Sequence, residues 1–176
     1  LLKSYRWSNV RRCLMSKKIL PKITRGLWVY GLAGSGKTFA SSHVCSSIDN
    51  SFVIDGDVVR KFVSKDLAYN AADRAKQIER IFGIGKIAIA NQMFPIMSSV
   101  FMNDDLVLKC ANDRIAVIQI KRPFEQLKKV RDLYREEKNV VGVDLPLADF
   151  NTPTLENDGT RNFESILVDY VKSIAT

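Results

Sequence analysis

The chain of 176 residues, 46% hydrophobic and 26% charged, is long enough for one domain with a real core. No apolar run approaches the ~20 residues that span a bilayer, and a secretory signal is not expected either. The net charge of +8 invites a nucleic-acid reading, but its distribution argues against one for the body of the chain. Residues 1–25 hold eight basic side chains (Lys3, Arg6, Arg11, Arg12, Lys17, Lys18, Lys22, Arg25) and no acid, whereas the remainder balances 19 basic against 19 acidic residues. The excess therefore belongs to a leader, which also carries Trp7, Val10 and Leu14 at helical spacing. That leader could bind a membrane surface, RNA or an acidic partner, or be a solvated or packed extension. Cys13, Cys45 and Cys110 are far apart and form no CxxC pair, so reduced thiols and a cytoplasmic location are expected. His43 is the only histidine; it is expected on a helix surface and outside any histidine metal cluster.

Leu27-Trp28-Val29-Tyr30 reads as a short buried strand running into a glycine loop. Phe39 to Ile48 follows as a helix with Ala40, Val44 and Ile48 on one face. Phe52-Val53-Ile54 is a second strand, ending in Asp55-Gly56-Asp57. A long helix starts after Asn70, an N-cap with Asp73 three residues on, and its stripe is Ile78, Ile81, Phe82, Gly85 and Ile89. Pro95 to Phe101 reads as a third strand and Ile115 to Ile120 as a fourth. Phe124 to about Glu137 is expected as one charged helix. Residues 138–153, with Gly142, Pro146 and Pro153, read as a loop, and Leu155 falls on a short fifth strand. Phe163, Ile166, Leu167, Tyr170 and Ile174 mark a C-terminal amphipathic helix.

Alternating strands and helices imply an α/β fold: a central parallel sheet of about five strands with helices on both faces. The expected organisation is the leader at 1–25 and one domain at 26–176, with a short lid around 131–150. Ligands of such sheets bind beyond the carboxyl ends of the strands, where both the glycine loop and the Asp55-Gly56-Asp57 turn fall.

Gly31-Leu32-Ala33-Gly34-Ser35-Gly36-Lys37-Thr38 matches GxxxxGK[ST] in full. In this motif backbone N–H groups wrap phosphate oxygens and the following helix points its positive end at them. Gly31, Ala33, Gly34, Ser35, Gly36, Lys37 and Thr38 are thus the candidate ATP site, with Lys37 on the β- and γ-phosphates and the Thr38 hydroxyl on Mg²⁺. Asp55 and Asp57 at a strand end can orient metal-bound water and accept a proton from an attacking hydroxyl, and Arg60, one helical turn on, can grip an anion. The competing reading is a turn whose aspartates merely cap a helix.

The order of these motifs resembles that of the adenylylsulfate kinases. The resemblance covers roughly residues 26 to 170. It rests on the glycine loop, on Asp55-Gly56-Asp57-Val58-Val59-Arg60, and on Asp66-Leu67-Ala68-Tyr69 with Asp73-Arg74. Downstream, Pro123-Phe124-Glu125, the lid pair Leu133-Tyr134 and the run Asn139 to Asp144 are similar to further family segments. The resemblance implies MgATP-dependent phosphorylation of the 3′-hydroxyl of adenylyl sulfate. It implies Asp57 as base, Asp55 beside Mg²⁺, Arg60 and Arg74 on the acceptor's anionic groups, and Tyr69 stacked on its base.

The departures from the family pattern fall on the acceptor side. Phe101-Met102-Asn103-Asp104-Asp105 lacks an expected arginine. Gln77 stands for an asparagine, Val140 replaces the second stacking aromatic, and the lid beginning at Arg131 is shortened. The expected acceptor is therefore a nucleotide, adenylyl sulfate by default. The alternative is another conjugate such as cytidine diphosphoramidate in capsule polysaccharide modification, and a remote third reading is a non-catalytic ATP-binding module. Homodimer formation stays open.

Overall fold

In β1 (Gly26–Tyr30) all five residues are buried, and alternate side chains serve opposite faces of the sheet. The computed structural model describes residues 24–136, 138–147 and 149–174. The basic leader read from the sequence lies, up to residue 23, outside them. After β1 come α1 (Lys37–Cys45), β2 (Ser51–Asp55), α2 (Gly56–Phe62), α3 (Ala71–Ala90) and β3 (Phe94–Ser99). The chain continues through α4 (Asp104–Asn112), β4 (Ile115–Lys121), α5 (Phe124–Val130), α6 (Leu133–Glu136), β5 (Thr154–Glu156) and α7 (Arg161–Ile174).

The strands form one sheet in the order β2-β3-β1-β4-β5, and every pairing is parallel. This is the expected five-stranded α/β architecture. Leu27 and Val29 of β1 join Ile96, Ile118 and Leu155 under α1 and α7, which contribute Val44, Phe163, Leu167 and Tyr170. Trp28 and Tyr30 face the other way, against Ile78 and Ile81 of α3 and Leu106 and Cys110 of α4. Two layers of helix thus seal the sheet, and the loops at the strands' carboxyl ends are left to build a site. No helix among the described residues is long and apolar enough to cross a membrane.

The long helix begins as expected, with the Asn70 side chain accepting the Asp73 N–H at 2.9 Å. Several boundaries differ from the sequence reading. The first helix stops at Cys45 rather than Ile48, where the hydroxyls of Ser46 and Ser47 bond back to the carbonyls of Ser42 and His43 and end the turn. The third strand ends at Ser99, not Phe101: the Ser99 hydroxyl accepts from Trp28 Nε1 at 2.9 Å and donates to the Phe101 carbonyl at 2.7 Å, bending the chain out of the sheet. The run that lacks the expected arginine is the start of an unforeseen helix, α4. Asn103 caps it by accepting the Leu106 N–H at 2.9 Å, and Asp104 and Asp105 suit its positive end.

The single helix expected over 124–137 is broken in two. Arg131 is extended, at φ −142° and ψ 106°, and the break turns Tyr134 inward to pack with Leu127 and Val140.

Tyr170 is buried at 1% exposure on α7, and its hydroxyl finds no partner among the described residues. A buried hydroxyl without a partner costs free energy that a phenyl ring does not. Tyr170→Phe should therefore leave thermal stability equal or higher, by up to about 1 kcal/mol. A clear fall in the unfolding midpoint would show that the hydroxyl is satisfied.

Candidate active site

The glycine loop leaves the central strand through Gly31, whose backbone lies so close to the Ile120 carbonyl that an added Cβ would stand 2.3 Å from its oxygen. Gly36, the N-cap of α1, is left-handed at φ 106°, a conformation that glycine adopts without strain. The loop therefore curls tightly over the end of the sheet. The N–H groups of Gly34 and Gly36 have no acceptor among the described residues. Such a set of donors ahead of a helix N-terminus fits an anion.

Lys37, the first residue of α1, is half-buried and donates to the Leu32 carbonyl at 2.9 Å. Burial pushes its ammonium down to about 8; the nearby charges of Asp57 and Asp55 oppose that shift, and Arg131 adds to it.

The second wall is the β2–α2 turn. Asp55 does cap a helix, as the competing reading held: one carboxylate oxygen accepts the N–H groups of Asp57 (2.9 Å) and Val58 (3.4 Å). Its other oxygen accepts the Ser98 hydroxyl at 3.1 Å. Asp57, the second residue of α2, is exposed, and its carboxylate takes no hydrogen bond among the described residues. The pair is thus unequal, one carboxylate anchored and one open.

The third wall carries Tyr69. Asp66 makes a two-pronged pair with Arg80, at 2.5 and 2.8 Å, which holds the Asp66 carboxyl down to about 2. Asp73 accepts the Ala68 N–H at 3.0 Å. The two aspartates of this motif therefore shape the turn that presents Tyr69. The Arg60 guanidinium lies 4.5 Å and that of Arg74 5.5 Å from the Tyr69 ring centre. Arg60 donates to the carbonyls of Leu67 and Ala68, while Arg74 bridges those of Tyr69 and Asn139, each at 2.8 Å. Burial, then the like charge of Arg60, lowers the Arg74 pKa. Gln77 is 5% exposed; its Nε2 donates to the Gly56 carbonyl at 2.8 Å, and its Oε1 has no partner among the described residues.

One cavity of about 360 Å³ joins these walls, lined by Lys37, Thr38, Asp55, Asp57, Arg60, Tyr69, Arg74, Gln77, Phe101, Arg131 and Val140, with Ala33 and Gly34 at its edge. Gly31, Ser35 and Gly36 shape the loop from behind. Val140 is buried against Leu127 and Tyr134, so it meets the cavity as part of a small packed apolar cluster. Sequence reasoning missed two residues. Ser98 anchors Asp55, and a serine pair at the carboxyl end of a core strand was the available signal. Asn157 bonds the glycine loop from outside, at 2.7 Å to the Ser35 carbonyl; its signal was its place just beyond the short fifth strand. No group of three or more His, Cys, Asp or Glu suited to a metal occurs among the described residues. A magnesium ion, however, takes one or two protein oxygens and fills its shell with phosphate and water, for which Thr38 and Asp55 suffice.

Lys37 is charged more readily in the unfolded chain, so between pH about 8 and about 10.5 the unfolded state holds the extra proton and this group's cost to folding fades as pH rises. A Lys37→Met variant should be more stable than the parent at pH 7, and the advantage should shrink above pH 8. Denaturant melts across that window check the sign; an advantage independent of pH would mean the ammonium is not strained.

Comparison with known proteins bears on this geometry. The model of the adenylylsulphate kinase family matches residues 24–143. An adenylyl-sulfate kinase of Bacillus licheniformis is 29% identical over 165 residues, covering 83% of this chain and 84% of the relative. One from Bacteroides thetaiotaomicron is 25% identical over 154 residues, covering 77% and 75%. The fold resembles that of the Mycobacterium tuberculosis APS kinase CysC, solved with AMPPNP and APS, at a TM-score of 0.72 and 20% identity, covering 87% of this chain and 99% of that one.

Proposed function

The chain belongs to the adenylylsulphate kinase family, an ATP-dependent phosphotransferase family, and from that premise we propose that it moves the γ-phosphate of ATP to the ribose 3′-hydroxyl of adenylyl sulfate. The observation that carries the reading is the unequal aspartate pair. Asp55 is held by two backbone amides and Ser98, a rigid place from which to orient Mg²⁺ with Thr38. Asp57 stands open in the same cavity, as a general base needs to be.

Thr38 and Asp55 would hold Mg²⁺, whose positive charge would offset the negative charge that develops on transfer. Lys37 would exchange the Leu32 carbonyl for the transferring phosphoryl group and stabilise its charge. Asp57 would take the proton from the attacking hydroxyl. Arg60 and Arg74 would meet the acceptor's anionic groups with the N–H bonds that the main chain leaves over. The base would lie against Tyr69, with Val140 and Phe101 as apolar boundaries and Arg131 above. The unpaired Oε1 of Gln77 asks for a donor, and an acceptor hydroxyl would supply one. The relatives are named for adenylyl sulfate, and no feature of the cavity favours a cytidine conjugate over it. We read residues 26–176 as the kinase domain, 131–150 as its lid, 1–25 as a leader without a catalytic role, and the cytoplasm as the place of action.

In an ADP-release assay with adenylyl sulfate, Lys37→Ala should lose turnover by at least about 10²-fold while staying folded. Asp57→Asn should lose ~10²–10⁴-fold in kcat with its KM for ATP within a few-fold. A variant at Asp57 whose main defect was ATP affinity would reverse the roles of the two aspartates. In the same assay kcat/KM for adenylyl sulfate should exceed that for cytidine diphosphate conjugates, and the opposite order would replace the acceptor while leaving the ATP half of the reading in place.

A further inference from the structure

A peptide unit is planar and trans, so its C=O and the following N–H point in opposite directions. A donor that holds a loop carbonyl on one side therefore turns the next amide to the other. In the glycine loop three carbonyls are held by side chains from outside the motif; that of Gly34 accepts Arg122 Nη1 at 3.4 Å, and the amide after it, Ser35 N–H, donates to the Leu32 carbonyl at 3.1 Å. The Ala33 carbonyl accepts the Tyr134 hydroxyl at 2.7 Å, and the Ser35 carbonyl accepts Asn157 Nδ2 at 2.7 Å. The amides that follow the Ala33 and Ser35 carbonyls are those of Gly34 and Gly36, which, unlike that of Ser35, have no acceptor among the described residues.

Both donors are firmly set. Tyr134 is 5% exposed and its ring packs edge-on against Phe124 at 5.3 Å; burial pushes its hydroxyl up to about 12, so it remains a donor across the working range. Asn157 is 8% exposed; its N–H donates to the Lys121 carbonyl at 2.7 Å and its Oδ1 accepts the Gly159 N–H at 3.0 Å, which leaves Nδ2 a single orientation. A Cβ on Gly36 would stand 2.4 Å from Nδ2, so glycine is what lets the clasp close.

We infer that Tyr134 and Asn157 are positioning residues that clasp the glycine loop from behind, turning the Gly34 and Gly36 amides toward the phosphates of ATP. The inference rests on the reading of this loop as the ATP site. Tyr134 belongs to the lid and Asn157 to the exit of β5, so the clasp also ties nucleotide affinity to the lid being down. Without a clasp the peptide planes are free to turn, and amides that must be aligned on binding give a weaker site than amides already aligned.

The test uses Tyr134→Phe, which removes one oxygen and keeps the ring, and Asn157→Asp, which keeps the acceptor for Gly159 and replaces the donor. Calorimetric titration with MgATP should show the dissociation constant raised about tenfold in each, the cost of a lost buried hydrogen bond. KM for the acceptor should stay within about twofold of the parent. Unchanged ATP affinity in both folded variants, with Lys37→Ala still defective, would overturn the clasp and leave the ATP site standing. Equal loss of ATP and acceptor affinity with a lowered unfolding midpoint would also overturn it, in favour of a general structural role. A parent protein that failed to bind MgATP would remove the reading on which the clasp rests.

Discussion

The turn from β1 into α1 is the constraint on which the rest of the molecule depends. A loop that binds phosphate must aim its amides at one point, and it can do so only if its carbonyls are satisfied elsewhere and no Cβ intrudes. Gly31 lies against the Ile120 carbonyl and Gly36 against Asn157, so the loop is locked between β4 and the exit of β5. Because β1 is the middle strand, this locked loop sits at the centre of the sheet's carboxyl edge, and the other walls arrive from neighbouring strands. β2 delivers the aspartate pair, β3 delivers Ser98, and α3 carries Arg74 and Gln77.

The packing of residues 131–144 follows from the same constraint. Tyr134 is drawn down to the Ala33 carbonyl, Leu32 packs against the backbone of Gly142, and Leu127, Tyr134 and Val140 form a small apolar cluster of their own. That cluster is the physical reason the helix expected over 124–137 breaks at Arg131. A continuous helix would carry Tyr134 past the loop, whereas one extended residue brings it in and leaves Arg131 beside Gly34. Asp144 secures the other end of this segment by accepting the N–H groups of Asn139 and Val140, each at 2.6 Å, and Arg74 ties it to the Tyr69 wall.

Much of this was legible in the residues. The strand–glycine loop–helix order, the five strands and the capped long helix follow from local rules: period, caps and glycine geometry. What was not legible depends on contacts between distant segments. Asn157 and Ser35 are 122 positions apart, and no local pattern marks the asparagine as the loop's partner. Helix α4 is marked locally only by Asn103 followed by Asp104 and Asp105, an ordinary helix start, and its short apolar face of Leu106 and Cys110 is fixed by packing on the distant strands. The capping and functional readings of Asp55 proved compatible, since a carboxylate has enough acceptor sites to cap α2, hold Ser98 and still face the cavity.

The proposed reaction moves a phosphoryl group from ATP to a ribose 3′-hydroxyl. Phosphorus NMR of a reaction of the protein with MgATP and adenylyl sulfate reads this directly. Loss of the γ-phosphate resonance, growth of ADP, and a new phosphomonoester resonance coupled to the ribose 3′ proton of the acceptor are expected. ADP accompanied by free phosphate alone, or a phosphomonoester at any other position, would contradict it.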